Sequence, residues 1–263
     1  MTPILLAVLL LSGIGLLSGV GLGLAAHFMS VKENEKAVLI LSELPGANCG
    51  ACGFSGCAGY ANALAESQGV RTNLCPVGGD AVAARVAAIL GTAAAKTVKK
   101  TARVRCRGTK ECRVRIADYE GVSTCRAAAA LYNGGSGCAF GCIGLGDCAA
   151  VCEAGAIQIR EGVAVIDARL CVACGKCKDA CPKKLITVTP VTAPTVLCRN
   201  PDKGPATKAV CSAGCLGCRL CEKACPHGAI VMENGVARVS RSKCTGCGAC
   251  VNACKFGVIY LQQ

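Results

Sequence analysis

The chain has 263 residues, 25 of them cysteine, and a formal net charge of +13. With no tryptophan, four phenylalanines and four tyrosines, it lacks the stacking platforms of single-strand nucleic-acid binders and the bulk for a large hydrocarbon core. A disulfide scaffold belongs to short secreted chains, whereas these cysteines arrive as CxxC and CxxCxxC runs that suit a shared ion or cluster better than pairing with one another.

The first predicted element is a membrane helix. Ile4 to Met29 holds no Asp, Glu, Lys or Arg, and it is long enough to span a bilayer with some tilt. The leading MTP supplies no basic residue, and the apolar run exceeds a signal peptide's core, so residues 1–29 read as an uncleaved, single-pass anchor. Lys32 and Lys36 follow it and nothing positive precedes it. The positive-inside rule then places the soluble part on the cytoplasmic side of the inner membrane, where disulfides are disfavoured. Gly15, Gly19 and Gly23 form a small-xxx-small stripe, either a helix-packing face or the ordinary glycine content of membrane helices. Gly19, Gly21 and Gly23 are no dinucleotide loop, because no strand precedes them and no acidic residue follows.

Residues 30–91 form a small module. The stretch Asn48–Cys57, NCGACGFSGC, supplies Cys49, Cys52 and Cys57, and Cys75 in NLCPVGG is the next thiol. The spacing C-x2-C-x4-C-x17-C fits one [4Fe–4S] cluster, with glycines that let the backbone wrap the sulfurs. Ala-rich stretches 58–66 and 80–90 read as short helices beside it. Residues 92–137 form a basic connector, TAAAKTVKKTARVRCR at its start, carrying Cys106, Cys112 and Cys125.

Two ferredoxin-like units follow, 138–190 and 211–263, joined by 191–210. Cys171, Cys174, Cys177 and Cys181 obey C-x2-C-x2-C-x3-C, as do Cys215, Cys218, Cys221 and Cys225, and again Cys244, Cys247, Cys250 and Cys254. In two-cluster ferredoxins three thiolates of such a run hold one cube and the fourth ligates the other. Cys138, Cys142, Cys148 and Cys152 form an irregular fourth run. The segments 156–171 and 229–244 match, each a strand, a turn at Glu161-Gly162 or Asn234-Gly235, and a second strand, so one unit is repeated. Crosswise ligation pairs Cys138, Cys142 and Cys148 with Cys181, and Cys171, Cys174 and Cys177 with Cys152. In the second unit it pairs Cys215, Cys218 and Cys221 with Cys254, and Cys244, Cys247 and Cys250 with Cys225. Cys106, Cys125, Cys198 and Cys211 are expected to form a sixth cluster, with Cys112 spare; the bland alternative is that lone cysteines are small buried hydrophobes. The fold class is α+β: one transmembrane helix, a helical iron–sulfur module and two two-cluster units. The cysteines named are the metal ligands, and no catalytic residue is visible.

The anchor, the NCGACGFSGC…CP module and GCIGLGDCAAVC running into ferredoxin repeats together resemble the B subunit of the Rnf complex, over essentially the whole chain. Two departures stand out: Glu153 follows Cys152 where many relatives have proline, and some relatives have one ferredoxin unit. The resemblance implies one component of an ion-translocating ferredoxin:NAD oxidoreductase. It would take electrons from soluble ferredoxin and hand them to other Rnf subunits in the membrane, with flavin and NAD bound on those partners. The residues agree with a relay: no triad, paired-carboxylate motif or Walker loop occurs, and two histidines make bis-His haem implausible. The other functions weighed are a membrane-anchored polyferredoxin of a hydrogenase or other dehydrogenase, and a redox sensor. The charge does not imply nucleic acid, because six four-thiolate clusters at about −2 each nearly cancel it; an acidic partner or anionic lipid suits the remaining basic surface.

Overall fold

The computed structural model describes residues 2–28, 34–67 and 69–261. Helix α1 (Thr2–Phe28) presents its apolar side chains outward, Leu11, Leu17 and Leu22 being each more than 70% exposed. It is long and apolar enough to cross a membrane. Lys32 and Met29, which entered the expectation for this anchor, lie outside the described residues.

The module that follows is helical. Helix α2 (Glu35–Glu43) is capped by the Asn34 side chain, which accepts from the Lys36 amide. Helices α3 (Cys57–Glu66) and α4 (Gly79–Leu90) occupy the two Ala-rich stretches. Ile40, Leu44, Tyr60, Leu64, Val82 and Val86 form their shared core. That small core is hydrocarbon on one side and thiol on the other, since Cys52, Cys57 and Cys75 pack against it.

Strand β1 (Lys100–Val104) leads from the connector into the first repeat. There follow α5 (Cys125–Ala130), a 3-10 turn at Tyr132–Gly135, α6 (Asp147–Ala150), β2 (Ile157–Arg160), β3 (Val163–Ile166), α7 (Lys176–Ala180) and β4 (Ile186–Pro190). The second repeat contains β5 (Thr195–Val196), α8 (Gly204–Val210), α9 (Leu220–Lys223), β6 (Ile230–Glu233), β7 (Val236–Val239), α10 (Ala249–Ala253) and β8 (Ile259–Tyr260). Each repeat is built on a tight hairpin, β2–β3 or β6–β7. Both turns hold two residues at positive φ, Glu161 and Gly162 in one, Asn234 and Gly235 in the other, as a two-residue type I′ connection demands. Over each turn passes a glycine of the cysteine loop. A Cβ on Gly217 would lie 2.8 Å from the Gly235 carbonyl oxygen, and one on Gly144 would strike that of Gly162.

The last strand of each repeat is paired with a strand that precedes its cysteine runs. β1 pairs antiparallel with β4, Lys100 opposite Pro190 through to Val104 opposite Ile186, and β5 pairs with β8. Between the repeats runs the segment 112–117, where isolated bridges pair Arg113 with Cys211 and Arg115 with Ser136. Three arginines serve backbone carbonyls. Arg107 donates to the Phe256 and Gly257 carbonyls, Arg113 to those of Cys142, Gly162 and Thr109, and Arg199 to those of Lys183 and Lys184. A guanidinium fork suits this work because it serves several acceptors and keeps its charge when half-buried.

Candidate metal centres

All 25 cysteines are free thiols, and most face others of their kind. In the module, Asn48 sits at positive φ and its side-chain oxygen accepts from the Cys57 amide at 2.8 Å, closing the NCGACGFSGC loop onto the start of α3. The Tyr60 hydroxyl donates to the Arg71 carbonyl and accepts from the Leu74 amide, which fixes the stretch of chain that carries Cys75. Burial, then the Gly78 and Val77 amides, then Cys57 and Cys52, set the Cys75 thiol, with burial winning and the pKa raised. The Gly78 amide donates to its sulfur at 3.4 Å.

In the first unit, Cys177 lies among Cys171, Cys174 and Cys152; burial first and those thiols next push it up to about 11. The amides of Ala102 and Ala173 both donate to the Cys171 sulfur. In the second unit, a cavity is lined by Cys215, Cys218, Cys221 and Cys254, and burial followed by Cys215 and Cys254 pushes Cys221 up to about 11. Cys250 is raised by burial and by Cys244, Cys225 and Cys247. Amides of Ala229 and Val258 donate to the Cys225 and Cys254 sulfurs at 3.3 Å. These three neighbourhoods contain the same thiols that crosswise spacing groups together.

Nine thiols remain, and eight of them have neighbours other than those chain order suggests. An apolar cavity is lined by Cys125, Cys142, Cys148 and Cys181. Asp147 holds Cys125 there: one carboxylate oxygen accepts from the Cys125 amide at 2.7 Å and the other from the Arg126 amide at 3.1 Å. Both bonds cap α5 and anchor it beside Cys148. Burial, then Cys142 and Cys125, pushes the Cys148 thiol up to about 12. Cys138 is instead near Cys106 and Cys198, and Cys211 near Cys138, Cys106 and Cys198, with burial the first cause of its rise to about 11. So Cys125 neighbours Cys142, Cys148 and Cys181, whereas Cys138 neighbours Cys106, Cys198 and Cys211. Cys112 stands apart; its sulfur accepts from the Thr109 hydroxyl at 3.2 Å, which lowers its pKa.

A signal for this exchange of neighbours was present in the sequence. Cys142, Cys148 and Cys152 lie seventy-three residues before Cys215, Cys221 and Cys225, but the counterpart of Cys218 is Leu145. The first unit lacks one thiol, and α5 brings Cys125 from the connector. Replacing Asp147 by alanine is expected to lower iron content by about four atoms and stability by about 1 kcal/mol, a lost helix cap. Asp147→Asn, which keeps one acceptor, should retain most of both, and iron analysis beside thermal unfolding reads the difference.

Among the described residues, no three His, Cys, Asp or Glu side chains close around a single metal ion. The sets do fit four-iron cubes, in which each iron takes one thiolate and backbone amides donate to the sulfurs. Comparison with known families agrees. A family model described as "Putative Fe-S cluster" matches residues 44–77, and one described as "4Fe-4S dicluster domain" matches 141–185, 170–229 and 214–258. Cys106, Cys125 and Cys138 lie outside every match. The chain is 42% identical over 239 residues to the B subunit of an ion-translocating oxidoreductase complex of Methanosarcina acetivorans, covering 90% of each. It is 41% identical over 246 residues to the B subunit of a Na(+)-translocating ferredoxin:NAD(+) oxidoreductase complex of Acetobacterium woodii, covering 92% of this chain and 73% of that one. To the corresponding polypeptide of a proton-translocating ferredoxin:NAD(+) oxidoreductase complex of Clostridium ljungdahlii it is 37% identical over 244 residues, covering 92% and 86%.

Proposed function

The chain belongs to the B-subunit family of ion-translocating oxidoreductase complexes, and on that premise we propose that it is the membrane-anchored electron relay of a ferredoxin:NAD oxidoreductase. The observation that carries this reading is the file of thiol sets running from the second unit to the module behind the membrane helix. The module meets the first unit at a cavity of about 220 Å³, lined by Cys49 and Val77 on one side and by Cys152, Cys171, Cys174 and Cys177 on the other. Lys176 spans that boundary, paired with Glu153 at 2.5 Å and close to both Cys174 and Cys49.

Four sets would hold clusters in the grouping that spacing suggests: Cys49, Cys52, Cys57 and Cys75; Cys152, Cys171, Cys174 and Cys177; Cys215, Cys218, Cys221 and Cys254; Cys225, Cys244, Cys247 and Cys250. Bound there, a [4Fe–4S] cluster supplies a one-electron couple whose potential responds to hydrogen bonds at its sulfurs and to exposure. The chain's contribution is to aim amides at those sulfurs and to keep water away from the inner thiols. Cys218 and Cys247 are the two exposed cysteines, which favours the second unit as the end where reduced ferredoxin docks. Arg105, Arg238 and Arg241 line a cleft of about 320 Å³ between the units, the sign of charge an acidic donor requires. Lys36 and the many basic residues beyond α1 support a soluble part on the cytoplasmic side of the inner membrane. Flavin and NAD then belong to partner subunits.

The test is Cys75→Ala in the assembled complex. Iron is expected to fall by about four atoms, because its set shares no thiol with the others, and ferredoxin-dependent NAD reduction should drop to background. Unchanged activity would overturn the relay reading, and a loss of about eight irons would overturn the ligand sets.

A further inference from the structure

We propose that Cys106, Cys138, Cys198 and Cys211 hold a sixth [4Fe–4S] cluster at the joint between the two repeats, and that Cys125 completes the first unit's own set with Cys142, Cys148 and Cys181. The proposal rests on the reading of these thiols as cluster ligands.

The two repeats carry the argument. A shift of seventy-three residues lays the first on the second, and Cys138 falls on Cys211. Each stands four residues before the first ligand of its unit. The segment 112–117 draws the two together: the Val114 amide donates to the Val210 carbonyl at 3.0 Å, and the Gly137 amide to the Val114 carbonyl at 2.8 Å. One residue beyond each of those partners lies a thiol, Cys211 on one side and Cys138 on the other. Cys211 also abuts the connector, since a Cβ on Gly108 would lie 3.0 Å from its sulfur. Cys198 is brought in by its flanks. Arg105 reaches its carbonyl at 3.5 Å, and Asn200, fully buried, directs its side-chain amide at the Cys138 sulfur at 3.9 Å.

The same shift accounts for Cys125. The loop containing Leu145 keeps the shape of the one containing Cys218, because Gly146 and Arg219, which follow them, both take the left-handed conformation. Yet the thiol is missing, and Leu145 lines a different cavity, beside Tyr119 and Asn133. In the second unit the cavity closed by Cys215, Cys221 and Cys254 takes its fourth thiol from Cys218. In the first, the cavity closed by Cys142, Cys148 and Cys181 takes it from Cys125. Two equivalent pockets thus have the same donor set from different chain positions.

The consequence is a single file. The Cys142 amide donates to the Cys106 sulfur at 3.4 Å, so the joint set adjoins the first unit's set. On the other side Cys198 is buried in the same core as Cys221 and Cys250. A cluster at the joint is therefore the link between the second unit and the first, and the first unit proper begins at Cys142.

The experiment is thiol footprinting of the full chain, purified anaerobically and alkylated in the native state, with labelled cysteines read by mass spectrometry. In Cys142→Ser, the expected new labels are Cys125, Cys148 and Cys181, with Cys138 protected and iron lower by about four atoms. Labelling of Cys138 with Cys125 protected would overturn the exchange and leave the relay reading standing. Unchanged labels and unchanged iron would overturn both. Should Cys142→Ser open the whole unit, Cys125→Ser discriminates from the other side: Cys142, Cys148 and Cys181 become labelled while Cys106, Cys138, Cys198 and Cys211 stay protected. Labelling of Cys106, Cys198 and Cys211 instead, with Cys138, Cys142, Cys148 and Cys181 protected, would restore the chain-order partition.

Discussion

Replacing Cys211 by alanine is expected to take iron from about 24 to about 20 atoms per chain and to separate the donor end of the relay from the membrane end. The second unit's two sets contain neither Cys211 nor any thiol of its neighbourhood, so their eight or so irons should remain. Reduced ferredoxin should still bleach that part of the visible spectrum, while NAD reduction by the complex falls to background. The joint set is the place where this effect should be largest, because the segment 112–117, bridged to Cys211 and bonded to Val210 and Gly137, brings thiols of both repeats together there. Cys112→Ala, by contrast, should leave iron unchanged, since its sulfur faces Thr109. Iron that stays near about 24 atoms in Cys211→Ala, or a variant that passes electrons at the wild-type rate, would exclude a cluster at the joint.

A second large effect is expected at Arg113. Its guanidinium serves the carbonyls of Cys142, Gly162 and Thr109 at once, joining the cysteine loop, the hairpin turn and the connector. The Thr109 carbonyl keeps the Cys112 amide, but truncation takes the arginine donor from the Cys142 and Gly162 carbonyls, each costing about 1–3 kcal/mol where water cannot replace it. Because Arg113 is partly exposed, Arg113→Ala should lower the unfolding free energy by about 3 kcal/mol, read from the shift of a chemical denaturation midpoint of the anaerobic protein. Arg113→Lys should recover little, because a single ammonium cannot span three acceptors on three segments. A loss below about 0.5 kcal/mol, typical of surface substitutions, would show that the arginine is a solvated charge.

The same residue shows what composition conceals. A formal charge of +13 directs attention outward, to acidic partners, yet Arg107, Arg113 and Arg199 donate to backbone carbonyls of the chain itself. Nothing in a charge count separates a strut from a docking surface; the distinction lies in which carbonyls the fold leaves without a partner. The hairpins were legible for the opposite reason. Glu161-Gly162 and Asn234-Gly235 between alternating apolar residues specify a two-residue turn by local sterics alone, and the Ala-rich stretches specify α3 and α4 by local periodicity.

Local spacing settled as much of the metal chemistry as is itself local. Three regular cysteine runs, the module's four thiols and the long apolar N-terminal segment determine by sequence alone a membrane-anchored iron–sulfur protein, because thiols two or three residues apart are held near one another by the short chain between them. The assignment of Cys125 and Cys138 could not be settled that way. Twelve residues lie between them, and both are close to the first unit along the chain. The proposed separation into two sets rests on Asp147 capping α5 and on the segment 112–117 bridging Val210 to Gly137. Those contacts join residues far apart in sequence, so only the tertiary structure decides them: a ligand set made from distant segments is fixed by where packing and backbone pairing deliver each thiol, not by the order in which the thiols are written.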